Sequence, residues 1–196
     1  MKKNNTVKKI TLCAMYAVIL FLQEQVLSFI PNVQFSFLIV VTLGATVGLK
    51  WGTIIVIIHV IADNLLWGSF VPYVVIPMFM GWEVTLFFGY LTRNSKTFVV
   101  ILFGALASLI YCWLFIPFNV IFLHVKLLPY VLADIPFEII LVLSTIFTLL
   151  WLYQPLKKLI TNQWQATINN DNDQINDDDN DDEQIKKDDN MDEILP

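Results

Sequence analysis

The sequence predicts an all-α integral membrane protein, built as a bundle of about six transmembrane helices with a disordered C-terminal tail. Of its 196 residues, 57% are hydrophobic and 15% are charged, whereas an average soluble domain has about 25% charged residues. Twelve of the 17 acidic residues lie between Asp171 and Glu193. The net charge of -5 is therefore a property of the tail, while the rest of the chain is apolar and mildly basic.

Six apolar stretches are candidates for the spanning helices, because a helix needs about 20 mostly apolar residues to cross a bilayer. They cover residues 10–30, 35–49, 52–67, 71–91, 97–117 and 127–153. The second and third stretches are short, so we expect them to be tilted or to cross only in part.

The positive charges predict the orientation of the bundle. Two of the 12 Lys and Arg residues lie in the tail, and nine of the other ten fall on one side of the predicted topology, with Lys126 as the exception. Short cytoplasmic loops carry such an excess of Lys and Arg. We therefore expect a multi-pass protein of the cell membrane with both termini in the cytoplasm.

Three regions follow from this pattern. Residues 1–9 form a basic cytoplasmic N-terminus, and residues 10–160 form the six-helix transmembrane domain. Residues 161–196 are rich in Asn, Asp and Gln, which bury too little apolar surface to offset the entropy of the chain. We expect this acidic tail to be disordered and cytoplasmic.

Ionisable side chains within spanning segments indicate function, because each costs at least ~2.5 kcal/mol on insertion scales. Helical depth places several carboxylates in the outer half of the bundle, where aromatic rings and amides accompany them. Such a mixture suits a flat polar ligand. The predicted substrate-binding residues are Glu24, His59, Asp63, Asn64, Trp67, Trp82, Glu83, Asn119, Asp134 and Glu138.

Spacing strengthens part of this set, since residues four apart share one face of a helix. His59 and Asp63 are related in this way, as are Asp134 and Glu138. The alternative is structural: an interfacial aromatic belt with hydrogen bonds that only hold the helices together.

Sequence motifs give no support to catalysis. The chain has no Walker A loop, no H-E-x-x-H and no G-x-S-x-G. His59 and Asp63 alone are a weak metal pair, and Cys13 and Cys112 are isolated. We expect no catalytic residues, no cofactor, no metal and no nucleic-acid partner.

Three stretches resemble the substrate-binding S components of energy-coupling factor (ECF) transporters, which are small six-helix vitamin-uptake proteins. They are G-A-T-V-G at residues 44–48 leading through Gly52 to I-A-D-N-L-L at residues 61–66, then residues 81–90, and A-D-I-P-F-E-I-I at residues 133–140. The last is similar to the I-P-F-N-I-I stretch of riboflavin-type S components, whose polar position matches Glu138. The resemblance extends over residues 8 to about 158.

The resemblance implies a membrane-embedded subunit of an ABC transporter that captures a vitamin or related small molecule outside the cell. Its partners would be a transmembrane coupling subunit and two ABC ATPase subunits. The family's first helix presents an A-x-x-x-A surface to the coupling subunit, and the nearest equivalent here is Cys13 with Ala17, beside Ala14. The ridge of Gly44, Gly48 and Gly52 is a second surface for close helix approach.

Two other functions remain open. A standalone ion- or proton-coupled carrier would use the membrane carboxylates as relays. An integral membrane enzyme would require bond chemistry at His59, Asp63 or Glu138.

Overall fold

The computed structural model describes residues 3–30, 33–67 and 70–192, with side chains described between residues 6 and 167. Within these ranges the chain forms six α-helices and no strand. The helices are α1 (Lys3–Leu27), α2 (Ser36–Thr46), α3 (Leu49–Leu66), α4 (Pro72–Leu91), α5 (Thr97–Leu123) and α6 (Leu127–Asp192). Each of the six predicted apolar stretches coincides with one of them, so the all-α prediction is confirmed.

Five of the helices are long and apolar enough to cross a membrane: α1, α3, α4, α5 and α6. These lengths and compositions indicate a multi-pass membrane protein. Helix α2 has 11 residues, which at 1.5 Å per residue span about 16 Å, roughly half of a ~30 Å hydrocarbon core. The bundle thus combines five helices of membrane-spanning length with one half-length helix.

Helix α2 occupies the centre of the bundle. The five long helices contact one another in a closed ring, in the order α1, α3, α4, α5, α6 and back to α1, and every one of them also contacts α2. All residues of α2 from Ser36 to Gly44 are buried. A helix that is apolar on all sides belongs in such an enclosed position, and the short length of α2 leaves the rest of the central axis to other groups.

Glycines allow α2 and α4 to approach closely. A Cβ added at Gly44 would collide with the backbone at Leu86, and one added at Gly89 would collide with the backbone of Val41. Of the predicted ridge of Gly44, Gly48 and Gly52, the first and last both lie against Leu86 of α4, while Gly48 does not. Gly48 lies between α2 and α3 with φ of 86°, a backbone angle that favours glycine.

The basic turns meet at one end of the bundle, which we call the basic end. Lys157 on α6 donates a hydrogen bond of 2.7 Å from Nζ to the carbonyl of Arg93, which follows α4. Trp51, next to Lys50 on α3, packs edge-on against Trp164 of α6 at 6.0 Å between ring centroids. This arrangement agrees with the predicted grouping of cations. That the basic end faces the cytoplasm stays a prediction.

Helix α6 packs on the bundle past residue 160, where the transmembrane domain was predicted to end. Trp164 is 7% exposed in the main core, which also contains Ile160 at 2%, and the Tyr16 hydroxyl donates a 2.8 Å hydrogen bond to Gln163 Oε1. The backbone is helical to Asp192, where an unstructured chain was predicted. A helix forms its backbone hydrogen bonds within itself, so it can extend past the last residue that packs on the bundle.

Candidate ligand-binding site

The first part of the site is a polar junction between the end of α1 and the start of α2. The Ser36 hydroxyl donates to Glu24 Oε1, and Gln23 Nε2 donates to Ser36 Oγ. The backbone N–H of Phe35 donates to Gln23 Oε1 at 2.9 Å. These side chains thus fix the N-terminal end of α2 against α1, where the first N–H groups of a helix have no partner within the helix.

Helix α3 adds a histidine and a second carboxylate. His59 Nε2 faces Glu24 Oε2 at 3.5 Å, and the His59 side chain is fully buried while that of Glu24 is 14% exposed. Asp63 lies one turn further along α3 and accepts a 3.1 Å hydrogen bond from Gln25 Nε2 of α1. The predicted i,i+4 relation of His59 and Asp63 is therefore realised against α1.

Aromatic rings from three helices close the other side of His59. Trp82 on α4 lies 5.8 Å from the His59 ring, 5.0 Å from Phe37 on α2 and 4.9 Å from Tyr111 on α5, between centroids. Gly81 allows this packing, because a Cβ there would collide with the Tyr111 ring. We call Glu24, His59, Asp63 and these three rings the central cluster.

The central cluster lies near the middle of the bundle. Trp82 comes ten residues after Pro72, the first residue of the 20-residue α4, and is therefore about 15 Å from that end. His59 comes seven residues before Leu66, the last residue of α3, which is about 10 Å. The cluster thus lies over the N-terminal end of the half-length α2, on the side away from the basic end.

Several buried polar atoms of the central cluster have no hydrogen-bond partner within the described chain. They are Nε1 of Trp82 and both ring nitrogens of His59, of which Nε2 has the Glu24 carboxylate at 3.5 Å as an ion-pair neighbour outside hydrogen-bond geometry. The two residues are 1% and 0% exposed. Leaving a buried polar group unpaired costs about 1–3 kcal/mol. Such groups are characteristic of a place where another molecule supplies the partner.

Six predicted site residues lie outside the central cluster, and three of these are on or next to α3 and α4. Asn64 is buried on another face of α3, where Nδ2 donates to the Val60 carbonyl at 2.8 Å and contacts Met78 Sδ at 3.3 Å. Glu83 Oε2 accepts a 3.0 Å hydrogen bond from Thr53, nearer the start of α3. Trp67 follows α3 and is 61% exposed.

The remaining predicted residues form a second group between α5 and α6. Asn119 Nδ2 donates to the Tyr130 hydroxyl at 2.8 Å, and the carboxylates of Asp134 and Glu138 both lie within electrostatic range of Cys112. Glu138 also lines a groove of about 240 Å³ with Leu109 and other apolar residues.

Helix α5 separates the two groups. Tyr111 is in the central cluster, within electrostatic range of Glu24 and Asp63, whereas the adjacent Cys112 is within electrostatic range of Asp134 and Glu138 of α6. Successive residues on a helix point about 100° apart. The sequence predicted one pocket, but the structure divides its carboxylates between two faces of α5.

Two of the three residues predicted for the coupling surface on α1 face the interior of the bundle. Cys13 is 1% and Ala17 is 2% exposed, and both pack in the main core. They face the interior because one side of α1 contacts α3 and α6. Of the predicted residues only Ala14 is exposed, and Ile10 and Val18 are exposed at four-residue spacing on either side of it.

Phe37 and Tyr111 were not predicted as site residues, because apolar helices contain many aromatics and only tertiary contact distinguishes these two. Ser36, Gln23 and Gln25 were not predicted either. For Gln23 and Gln25 the signal was present as a polar triplet, Gln23 to Gln25, that interrupts the first apolar stretch.

Across residues 3–30, 33–67 and 70–192, no group of three or more His, Cys, Asp or Glu side chains is placed to hold a metal ion.

Comparison with protein-family models, with curated proteins and with solved structures gave no match to this chain.

Proposed function

We propose that this protein is the membrane-embedded substrate-capture subunit of an ECF-type ABC transporter, which binds a vitamin or related small molecule from outside the cell. The observation that carries the proposal is the set of unpartnered nitrogens on His59 and Trp82, buried beside Glu24 at the N-terminal end of α2.

A small-molecule ligand explains why these groups are retained. An apolar ring of the same shape in place of the Trp82 indole would remove the cost of an unpaired buried N–H, and a purely structural site would gain from that change. A ligand that hydrogen-bonds to His59 and Trp82 and packs on the aromatic rings recovers the cost on binding. Few polar groups among many apolar ones are typical of small-molecule sites.

The architecture favours capture over passage through the molecule. The half-length α2 lies on the axis of the ring, between the central cluster and the basic end, and Gly44 and Gly89 hold it tightly against α4. A ligand at the central cluster therefore has a packed helix beneath it. Delivery to the other side requires a movement that a partner protein can drive.

The partners follow from the resemblance of the sequence to S components. They are a transmembrane coupling subunit and two ABC ATPase subunits, since the chain has no Walker A motif of its own. The exposed face of α1 around Ala14 replaces Cys13 and Ala17 as the proposed coupling surface. A small side chain there permits close approach of a partner helix in lipid.

The test begins with native mass spectrometry of the full chain, purified gently from the cells that produce it. We expect one small molecule bound in a 1:1 complex. The identified molecule is then used in an uptake assay with the coupling and ATPase subunits, in which accumulation should depend on an ATPase that can hydrolyse ATP.

Two results would contradict the proposal. Accumulation by the protein alone, driven by an ion gradient, would identify a standalone carrier. Chemical conversion of the bound molecule by the purified protein would identify an enzyme.

A further inference from the structure

We infer that the ligand of the central cluster is a flat aromatic heterocycle that carries a positive charge and a hydrogen-bond acceptor. This inference rests on the proposed function and names the class of substrate. It follows from three features of the cluster: its charges, its unpartnered donors and its rings.

Among the side chains that the structure describes, His59 is the basic partner that the carboxylates of the central cluster have. Glu24 and Asp63 lie on α1 and α3, and no Lys or Arg occurs anywhere in residues 10–49, 51–92 or 97–125, which include every residue of the cluster. Both carboxylates are partly buried, and a carboxylate withdrawn from water without a countercharge is costly. A cationic ligand supplies the missing charge.

The partial positive charge at the N-terminal end of α2 does not balance the two carboxylates. A helix N-terminus carries the equivalent of roughly half a positive charge, and here Glu24 is already engaged there through Ser36. Asp63 is held by the neutral amide of Gln25. With both carboxylates ionised and His59 protonated, two negative charges against one imidazolium and half a charge leave the cluster negative.

The indole N–H of Trp82 specifies a second property of the ligand, which is a hydrogen-bond acceptor. Trp82 Nε1 is an N–H group and can only donate, and it is buried without an acceptor within the described chain. The ligand must therefore present an acceptor, such as a ring nitrogen or a carbonyl oxygen. A bare metal ion or a simple alkylammonium lacks one.

The rings favour a flat ligand. The indole of Trp82 is the best cation–π partner among protein side chains, and Tyr111 and Phe37 lie within 6 Å of it. Aromatic groups also gain about 0.5–1.5 kcal/mol from ring pairing beyond their burial. A planar cation combines both interactions in one molecule.

Three probes of nearly the same shape test the charge. They are 1-methylnicotinamide, which is cationic, nicotinamide, which is neutral, and nicotinate, which is anionic. Isothermal titration calorimetry on the full chain in mild detergent should give 1-methylnicotinamide an affinity at least ~10-fold above those of the other two.

Variants assign that preference to the central cluster. Glu24→Gln keeps the size of the side chain and removes its charge, so it should reduce the preference for the cation toward parity. Glu138→Gln, the matched control on the other face of α5, should keep it. Thermal unfolding of both variants confirms that each is folded.

Equal affinities for the three probes, a preference for nicotinate, or no binding of 1-methylnicotinamide would overturn the inference. It would also be overturned if Glu138→Gln and Glu24→Gln lost the preference equally. These failures differ from failure of the proposed function, because a neutral or anionic molecule found by native mass spectrometry would exclude a cation yet leave capture intact.

Discussion

At the scale of single residues, two glycines determine how closely the central helix lies against α4. We predict that Gly44→Ala and Gly89→Ala each destabilise the protein by about 1–3 kcal/mol, because the added methyl meets backbone atoms that cannot rotate away. Thermal unfolding followed by tryptophan fluorescence measures the change. Gly52→Ala is the control, since its Cβ meets only the Leu86 side chain. Equal losses in all three variants would contradict this account.

His59 provides the second residue-scale prediction. Because His59 Nδ1 is buried without a hydrogen-bond partner within the described chain and Nε2 faces Glu24, His59→Leu should lower the affinity for the ligand at least ~10-fold. Asn64→Leu is the control, because Asn64 is buried outside the central cluster and its loss should leave the affinity unchanged. If His59→Leu remains folded and binds the ligand as tightly as the unmodified protein, the case for a ligand at His59 is lost.

At the scale of helices, the two sides of α1 have different roles. Ala17→Leu should destabilise the bundle by about 1–3 kcal/mol, because Ala17 is buried in the core. Ala14→Leu should leave stability unchanged, since Ala14 is exposed, and should weaken co-purification with the coupling subunit. The two variants are compared by thermal unfolding and by pull-down. Intact co-purification of Ala14→Leu would place the coupling surface elsewhere.

The length of α6 that the fold needs is a further prediction at this scale. A chain ending at Thr167 should unfold at the same temperature as the full chain. A chain ending at Leu159 should lose several kcal/mol, because it lacks Ile160 and Trp164 of the core and the Gln163 partner of Tyr16. If the chain ending at Thr167 is less stable than the full chain, the acidic residues beyond Thr167 pack on the bundle.

The sequence predicted the helices well and their arrangement poorly. Length and hydropathy locate apolar segments, so all six helices were found, and the short second stretch pointed to the half-length α2. Hydropathy says nothing about which helix lies in the centre when all are apolar. The inward direction of Cys13 and Ala17 likewise depends on contacts with α3 and α6 that no local pattern contains.

At the scale of the whole molecule, the ring of five helices around α2 determines which side chains meet. Glu24, His59, Asp63 and Trp82 were predicted from depth and charge, and the structure joins them. Depth could not distinguish them from Asp134 and Glu138, which lie at a similar level but on the far face of α5. The angular position of a side chain around the ring of helices depends on tertiary contacts, which helical depth does not give.

The central claim is that the ligand lies at the central cluster over α2 and not in the groove between α5 and α6. The most direct measurement is native mass spectrometry of the full chain, comparing the ligand retained by Asp63→Asn and by Glu138→Gln with that of the unmodified protein. We predict that Asp63→Asn loses the ligand, with affinity lowered at least ~10-fold, while Glu138→Gln retains it in full. Retention by Asp63→Asn together with loss from Glu138→Gln would contradict the account.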